Sequence, residues 1–259
     1  MPHNLRRAAH RKKDLIKMAI YQIIPGARSY GHAVGILLLD RDEPRMPGDV
    51  GHAGTFEYPV LYKTVPELDQ TIFEGSPRHI SAVVESAKYL ERNGVKGITS
   101  NCGFMIHYQN AAAASVSIPV FLSSLLQIPL ICQSLGEHAA LGIITASAGM
   151  LTDKVLNLSG APSDYVIHKV GILDCPEFRS TFLDQKGYLD ASKIQQEVIQ
   201  VSKDFVKSHP DIKALLLECS LLPPYSRAVQ AVTGLPVFDF MTLVDYFFRA
   251  THSRAYTQV

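Results

Sequence analysis

Two cysteines, Cys102 and Cys219, stand where an apolar run gives way to small polar residues. The first lies in Val95-Lys96-Gly97-Ile98-Thr99-Ser100-Asn101-Cys102-Gly103-Phe104, the second in Ala214-Leu215-Leu216-Leu217-Glu218-Cys219-Ser220. In each stretch the apolar residues read as a buried strand and the polar ones as the turn at its carboxyl end. An alanine-rich segment, Met105 to Ser115, follows the first turn and suits a helix. A thiol at such a strand-to-helix turn would lie near the positive end of the helix, which favours thiolate over thiol. Moving a proton off one face of a carbon and onto the other needs a base and an acid on opposite sides. Two thiols with an ordinary pKa of ~8.5 can fill both roles after modest tuning. Burial without chemistry is the ordinary alternative for a free cysteine, and it is the reading given to Cys132 and Cys175.

Other chemistries find little support. The chain has no GxGxxG, GxxxxGK[ST] or GxSxG stretch, so dinucleotide, P-loop and α/β-hydrolase sites are not expected. A Cys-His nucleophile could be assembled from Cys102 with His107, His138 or His168, but no local signature selects among them. The four cysteines include no CxxC pair and no ligand spacing for zinc; no metal and no cofactor is expected, and reduced thiols in a cytoplasm are the simplest reading.

With 47% hydrophobic and 19% charged residues and a net charge of +1, nothing points to nucleic acid or an anionic membrane as partner. The charge is uneven, however: residues 1 to 20 carry +5 and the rest −4. Leu15 to Ile24 is apolar but interrupted, and short of the ~20 residues a membrane span needs. A basic arm, residues 1–29, packed on its own subunit or on a neighbour in a homo-oligomer, is therefore expected.

The elements that must position the thiols alternate between strand and helix. Val34 to Asp40 is an apolar run of the fully buried type, and Arg41 to Thr64, rich in proline and glycine, reads as a long loop. From Arg78 a helical period places Ile80, Val83, Val84, Ala87 and Leu90 on one face, and Asn93-Gly94 stops it. A helix from about Gln127 to Leu135 follows the apolar run Ile118 to Leu125. The pattern restarts after Gly136 with strands at Leu141 to Ser147 and Val166 to Leu173. An amphipathic helix then runs from near Asp190 to His209, and the Cys219 strand follows. A helix to Val232, an apolar piece at Leu235 to Asp239 and a closing helix from Met241 to Ala250 complete the chain. This alternation predicts an α/β fold of two pseudo-symmetric lobes, each a mostly parallel sheet flanked by helices, with the active site between them. Lobe 1 would span 30–136, completed by 235–259, and lobe 2 would span 137–234.

The stretches TSNCGF, SSLL, GIITAS and LLLECSLLPPY, in this order and spacing, resemble the aspartate/glutamate racemase superfamily, which includes hydantoin racemases, maleate isomerases and arylmalonate decarboxylases. The resemblance covers roughly residues 34 to 250. It implies that one thiol from each lobe faces the substrate carbon, Cys102 and Cys219, without a cofactor. It also implies that Ser100, Asn101, Gly103, Thr145, Ala146, Ser147 and Ser220 hold a substrate carboxylate, as hydroxyls and backbone N–H groups at helix starts can. Asp40, at the end of the first strand, and Arg45, in the long loop, join the substrate-binding candidates, each with a plain structural role as its alternative. The expected function is a cofactor-independent racemase or isomerase of an amino acid or related small carboxylate. The alternatives are a decarboxylase or lyase using Cys219, or a carboxylate-binding protein without catalysis. Ser220-Leu221 after Cys219 departs from the Cys-Thr-His run of glutamate racemases, so glutamate is not the expected substrate.

Overall fold

The computed structural model describes residues 20–136 and 138–254. The first nineteen residues of the basic arm lie outside that range.

Two parallel sheets carry the chain. The first has the order β2-β1-β3, from β1 (Val34–Leu38), β2 (Val60–Thr64) and β3 (Ile98–Ser100). Leu37 is paired with Lys63 on one side and Ser100 on the other. The second has the order β5-β4-β6-β7, from β4 (Ala140–Thr145), β5 (Ile167–Gly171), β6 (Ile212–Leu217) and β7 (Val237–Phe238). The expected α/β class with helix-flanked parallel sheets is thus the observed one.

The uninterrupted apolar runs follow from burial on both faces of each sheet. Side chains alternate between faces along a strand, so a strand covered on both sides is apolar at every position. Leu141 and Ile143 of β4 and Ala214 and Leu216 of β6 join one core with Leu37 and Ile98 of the first sheet. Their neighbours Ala140, Ile144, Leu215 and Leu217 turn to the opposite core, under α5 (Pro176–Phe182), α6 (Ala191–Ser208) and α7 (Ser226–Thr233). A third cluster sets Val34 and Ile36 of β1 against Phe240, Leu243 and Val244 of α8 (Phe240–Thr251). The carboxyl end of the chain therefore touches both sheets: β7 pairs with β6, and α8 packs on β1.

Helix boundaries follow their caps. Asp190 accepts a hydrogen bond from the N–H of Lys193 to start α6, and Asp239 with Thr242 forms a capping box for α8. The helix α1 (Ile80–Arg92) ends at Asn93, and Gly94 continues at φ +82°, in the left-handed region that glycine favours; α3 (Ile128–Ser134) carries Pro129 in its first turn.

Three local features differ from the sequence reading. β2 lies inside the expected loop 41–64, because pairing with β1 supplies the hydrogen bonds that its own short, half-buried pattern does not advertise. α4 (Asp153–Leu158) and α5 also fall in stretches read as connections; both are under two turns, too short to show a helical period. Finally, the segment after Cys102 is a 3-10 helix, Gly103–Tyr108, with α2 beginning only at Gln109 and running to Ser115.

Candidate active site

β3 ends at Ser100 and β6 at Leu217, so the residues that follow, Asn101-Cys102-Gly103 and Glu218-Cys219-Ser220, leave the carboxyl ends of strands in the two sheets. They meet. Ser220 Oγ donates to the backbone carbonyl of Asn101, and Ser124 Oγ donates to the carbonyl of Glu218 at 2.9 Å. Both motifs line a single cavity, together with Leu39, Arg41 and Glu43 after β1 and Ala146 after β4. Its apolar wall includes two aromatic pairs. Phe73 and Phe104 meet edge-on at 4.9 Å between ring centroids, and Phe178 and Phe182 of α5 lie 4.7 Å apart.

The sequence-predicted site residues divide. Asn101, Cys102, Gly103, Ala146, Cys219 and Ser220 line the cavity. Ser100, Thr145 and Ser147 do not line it. Ser100 Oγ is spent on the carbonyls of Leu122 and Cys102, at 2.5 and 3.1 Å, and holds the turn. Thr145 acts behind the wall, donating to Glu218 Oε2 at 2.7 Å. Asp40 is exposed and accepts from the Glu67 N–H at 3.1 Å, outside the cavity lining. Arg45 is tied within its own loop: Nη2 lies 2.6 Å from Glu43 Oε2, and Nη1 3.2 Å from Asp49. Its guanidinium neutralises two carboxylates and is not among the cavity-lining groups.

Several functional candidates were missed. Glu218 interrupts an otherwise apolar strand end, and a carboxyl in that setting is itself a signal, since carboxyls are seldom fully buried without a partner. Arg41 and Glu43 lie in the loop after β1, where nothing local marks them as inward-facing. Their side chains are only 10% and 7% exposed, with Arg41 Nε 3.2 Å from Glu43 Oε1 and Arg41 Nη2 donating to the Phe182 carbonyl at 2.8 Å.

The electrostatics correct one expectation. Both thiols were expected near or below the ordinary value, helped by a helix end. Instead, burial pushes Cys102 up to about 12, and the nearby Glu218 adds to the shift. Burial, then Glu218, drives Cys219 well above its ordinary value as well. The 3-10 helix after Cys102 offers little compensating dipole; a backbone N–H, of Phe104 at Cys102 and of Leu221 at Cys219, favours each thiolate only modestly. Burial also raises the Glu218 carboxyl, to about 7, against the opposing pull of the Thr145 hydroxyl. Glu218 Oε1 and Asn101 Nδ2 are buried without hydrogen-bond partners, whereas Asn101 Oδ1 accepts from the Leu39 N–H at 2.9 Å. An unmade buried hydrogen bond costs about 1–3 kcal/mol, so a donor left open at a cavity wall is a natural place for a ligand oxygen. Among the described residues, no group of three or more histidine, cysteine or acidic side chains is gathered as a metal site. No helix among them is long and apolar enough to cross a membrane.

The fold is the one found in solved structures of the aspartate/glutamate racemase superfamily. An arylmalonate decarboxylase variant in its sulfate-associated form superposes with a TM-score of 0.58, covering 87% of this chain and 97% of that one at 13% identity. The aspartate racemase of Picrophilus torridus gives 0.52, covering 84% and 93% at 16% identity. Sequence relatives are nearer. A dimethylsulfoniopropionate lyase of Durusdinium sp. clade D is 35% identical over 227 residues, 84% of this chain and 74% of that protein. Dimethylsulfoniopropionate lyase 7 of Emiliania huxleyi is 33% identical over 231 residues, 84% of this chain and 67% of that protein. The chain belongs to this dimethylsulfoniopropionate lyase family. No family model matches it.

The relatives overturn the expectation of a racemase or isomerase: their common name is that of a lyase, which the sequence reading carried only as an alternative. The reason is chemical. Removing a proton from the carbon beside a carboxylate can begin either a racemisation or an elimination, so the two cysteine motifs do not by themselves distinguish an isomerase from a lyase.

Proposed function

We propose that the protein is a lyase that cleaves dimethylsulfoniopropionate into dimethyl sulfide and acrylate. The observation that carries the proposal is the 35% identity to a dimethylsulfoniopropionate lyase over 84% of a chain that brings two thiols to one cavity. The substrate bears a dimethylsulfonium group two carbons from its carboxylate. A base takes a proton from the carbon next to the carboxylate. The C–H electrons form the new C=C bond, the C–S electrons stay on sulfur, and neutral dimethyl sulfide leaves. The products are dimethyl sulfide, acrylate and one proton, which balances charge. A neutral leaving group needs no acid, so one base suffices.

We assign the base to Cys102. Burial raises both thiols and Glu218 adds to each rise; Arg41, which lines the cavity, favours the Cys102 thiolate. A sulfonium ion entering the cavity lowers both, because an opposite charge within a few ångströms favours the charged form. Cys219 then serves as an S–H donor beside the developing charge. Asn101 Nδ2 and Arg41 supply the donors for the substrate carboxylate, and stabilise the negative charge that builds on it as the proton leaves.

The test is dimethyl sulfide in the headspace and acrylate in solution, measured with the full chain and dimethylsulfoniopropionate. Cys102→Ser should lower kcat by about 10²–10⁴-fold, and Cys132→Ser should leave it within a factor of a few. Absence of both products from the wild type, or full turnover in Cys102→Ser, refutes the assignment.

A further inference from the structure

Resting on the lyase reading, we infer that Glu218 is the counter-charge that selects a cationic group in the substrate, making the cavity specific for onium carboxylates over neutral ones of the same shape. Four observations support this. Glu218 lines the cavity and is itself about 1% exposed. Its Oε1 has no hydrogen-bond partner and fills the space beside Gly103, where a side-chain Cβ would stand 1.7 Å from it. The other lining carboxylate, Glu43, is neutralised by Arg41 and Arg45 at 3.2 and 2.6 Å, whereas no lysine or arginine pairs with Glu218 among the described residues. The apolar part of the wall includes four phenylalanines, Phe73, Phe104, Phe178 and Phe182, beside aliphatic side chains, and aromatic rings attract cations without offering them a hydrogen bond.

A sulfonium or quaternary ammonium group has no N–H or O–H to donate. It is recognised by charge and by apolar contact, which is what an unpaired carboxylate behind an aromatic wall supplies. A buried carboxylate with no cation beside it and only the Thr145 hydroxyl as donor is costly to ionise, and burial accordingly raises Glu218 to about 7. An incoming cation reverses that cost and draws the carboxyl into its ionised form. The neighbouring groups do not substitute for it. In the free protein Cys102 and Cys219 are raised far enough by burial to stay protonated near pH 7, and Glu43 is already paired with Arg41 and Arg45.

The experiment is calorimetric binding of two unreactive ligands to the full chain. They are 3-(trimethylammonio)propionate and its carbon isostere 4,4-dimethylpentanoate, which differ only in the charge of the head group. The wild type should bind the ammonium compound more tightly by at least about tenfold, and Glu218→Gln should remove most of that preference. A second measurement needs no variant. In buffers of different ionisation enthalpy at pH 7, binding of the ammonium compound should release roughly half a proton, and the isostere none. Equal affinities in the wild type, or a tenfold preference retained by Glu218→Gln, would each overturn the inference. Onium-selective binding without dimethyl sulfide production would refute the lyase reading and leave this one standing. Dimethyl sulfide production with unselective binding would do the reverse.

Discussion

Thr145 Oγ1 donates to Glu218 Oε2 at 2.7 Å, linking the ends of the neighbouring strands β4 and β6 and leaving Glu218 Oε1 bare beside Gly103. One oxygen of the carboxyl is anchored and the other is not. The arrangement fixes the position of a buried charge while leaving it energetically unsatisfied, and its consequence for stability can be measured.

The carboxyl rises from 4.5 in the unfolded chain to about 7 in the fold. Between those values the folded protein binds more protons than the unfolded one, so stability falls as pH climbs through this window. The cost is fully present above about 7 and absent below about 4.5, and amounts to at most roughly 3 kcal/mol. Glu218→Gln, which cannot ionise, should therefore gain stability relative to wild type as pH rises from 4.5 to 8. Urea midpoints of the two proteins across that range check this; a difference independent of pH would show that Glu218 titrates normally.

Gly103 should tolerate no side chain. A Cβ there would stand 1.7 Å from Glu218 Oε1, 2.5 Å from its Cδ and 2.9 Å from its backbone oxygen. Gly103→Ala should cost several kcal/mol, on the order of a buried overpacking mutation. Adding Glu218→Ala removes two of the three clashing atoms, so the double variant should be more stable than the sum of the single effects by about 1–3 kcal/mol. Strict additivity in denaturant unfolding would mean that the two residues are not in contact.

The two site thiols should be sluggish nucleophiles in the free protein. With Cys102 raised to about 12, thiolate is scarce at neutral pH, and alkylation by iodoacetamide should accelerate through pH 9 without a plateau. Mass mapping of Cys102 and Cys219 over a pH series gives the profile. A plateau below pH 8 would restore the low thiol pKa that the strand-to-helix turn suggested.

How much of this was legible beforehand depends on the range of the forces involved. The parallel α/β architecture is written in the apolar runs of β1, of β4 as far as Ile144 and of β6 from Ala214, because burial on both faces leaves no polar position to break them. The two thiols were legible because each follows such a run, and strand ends are where a sheet of this class presents its ligands. Short elements were not: β2 exists by pairing with β1, and Val60 to Thr64 carries no local pattern that announces it. The racemase reading failed for a related reason, since a motif records which proton can be moved and is silent on what leaves afterwards.

Local patterning carries the strand–helix alternation and the placing of Cys102 and Cys219 at strand ends, because periodicity and turn residues act over a few positions along the chain. Tertiary structure decided everything that depends on what faces those residues. It turned Arg45 back onto Glu43 and Asp49, brought Arg41 and the Phe178–Phe182 pair to the cavity, and set Glu218 beside Gly103 across 115 positions of sequence. It also inverted the expected ionisation of the thiols. A pKa is set by burial and by charges within a few ångströms, and neither can be read from a residue's neighbours in sequence.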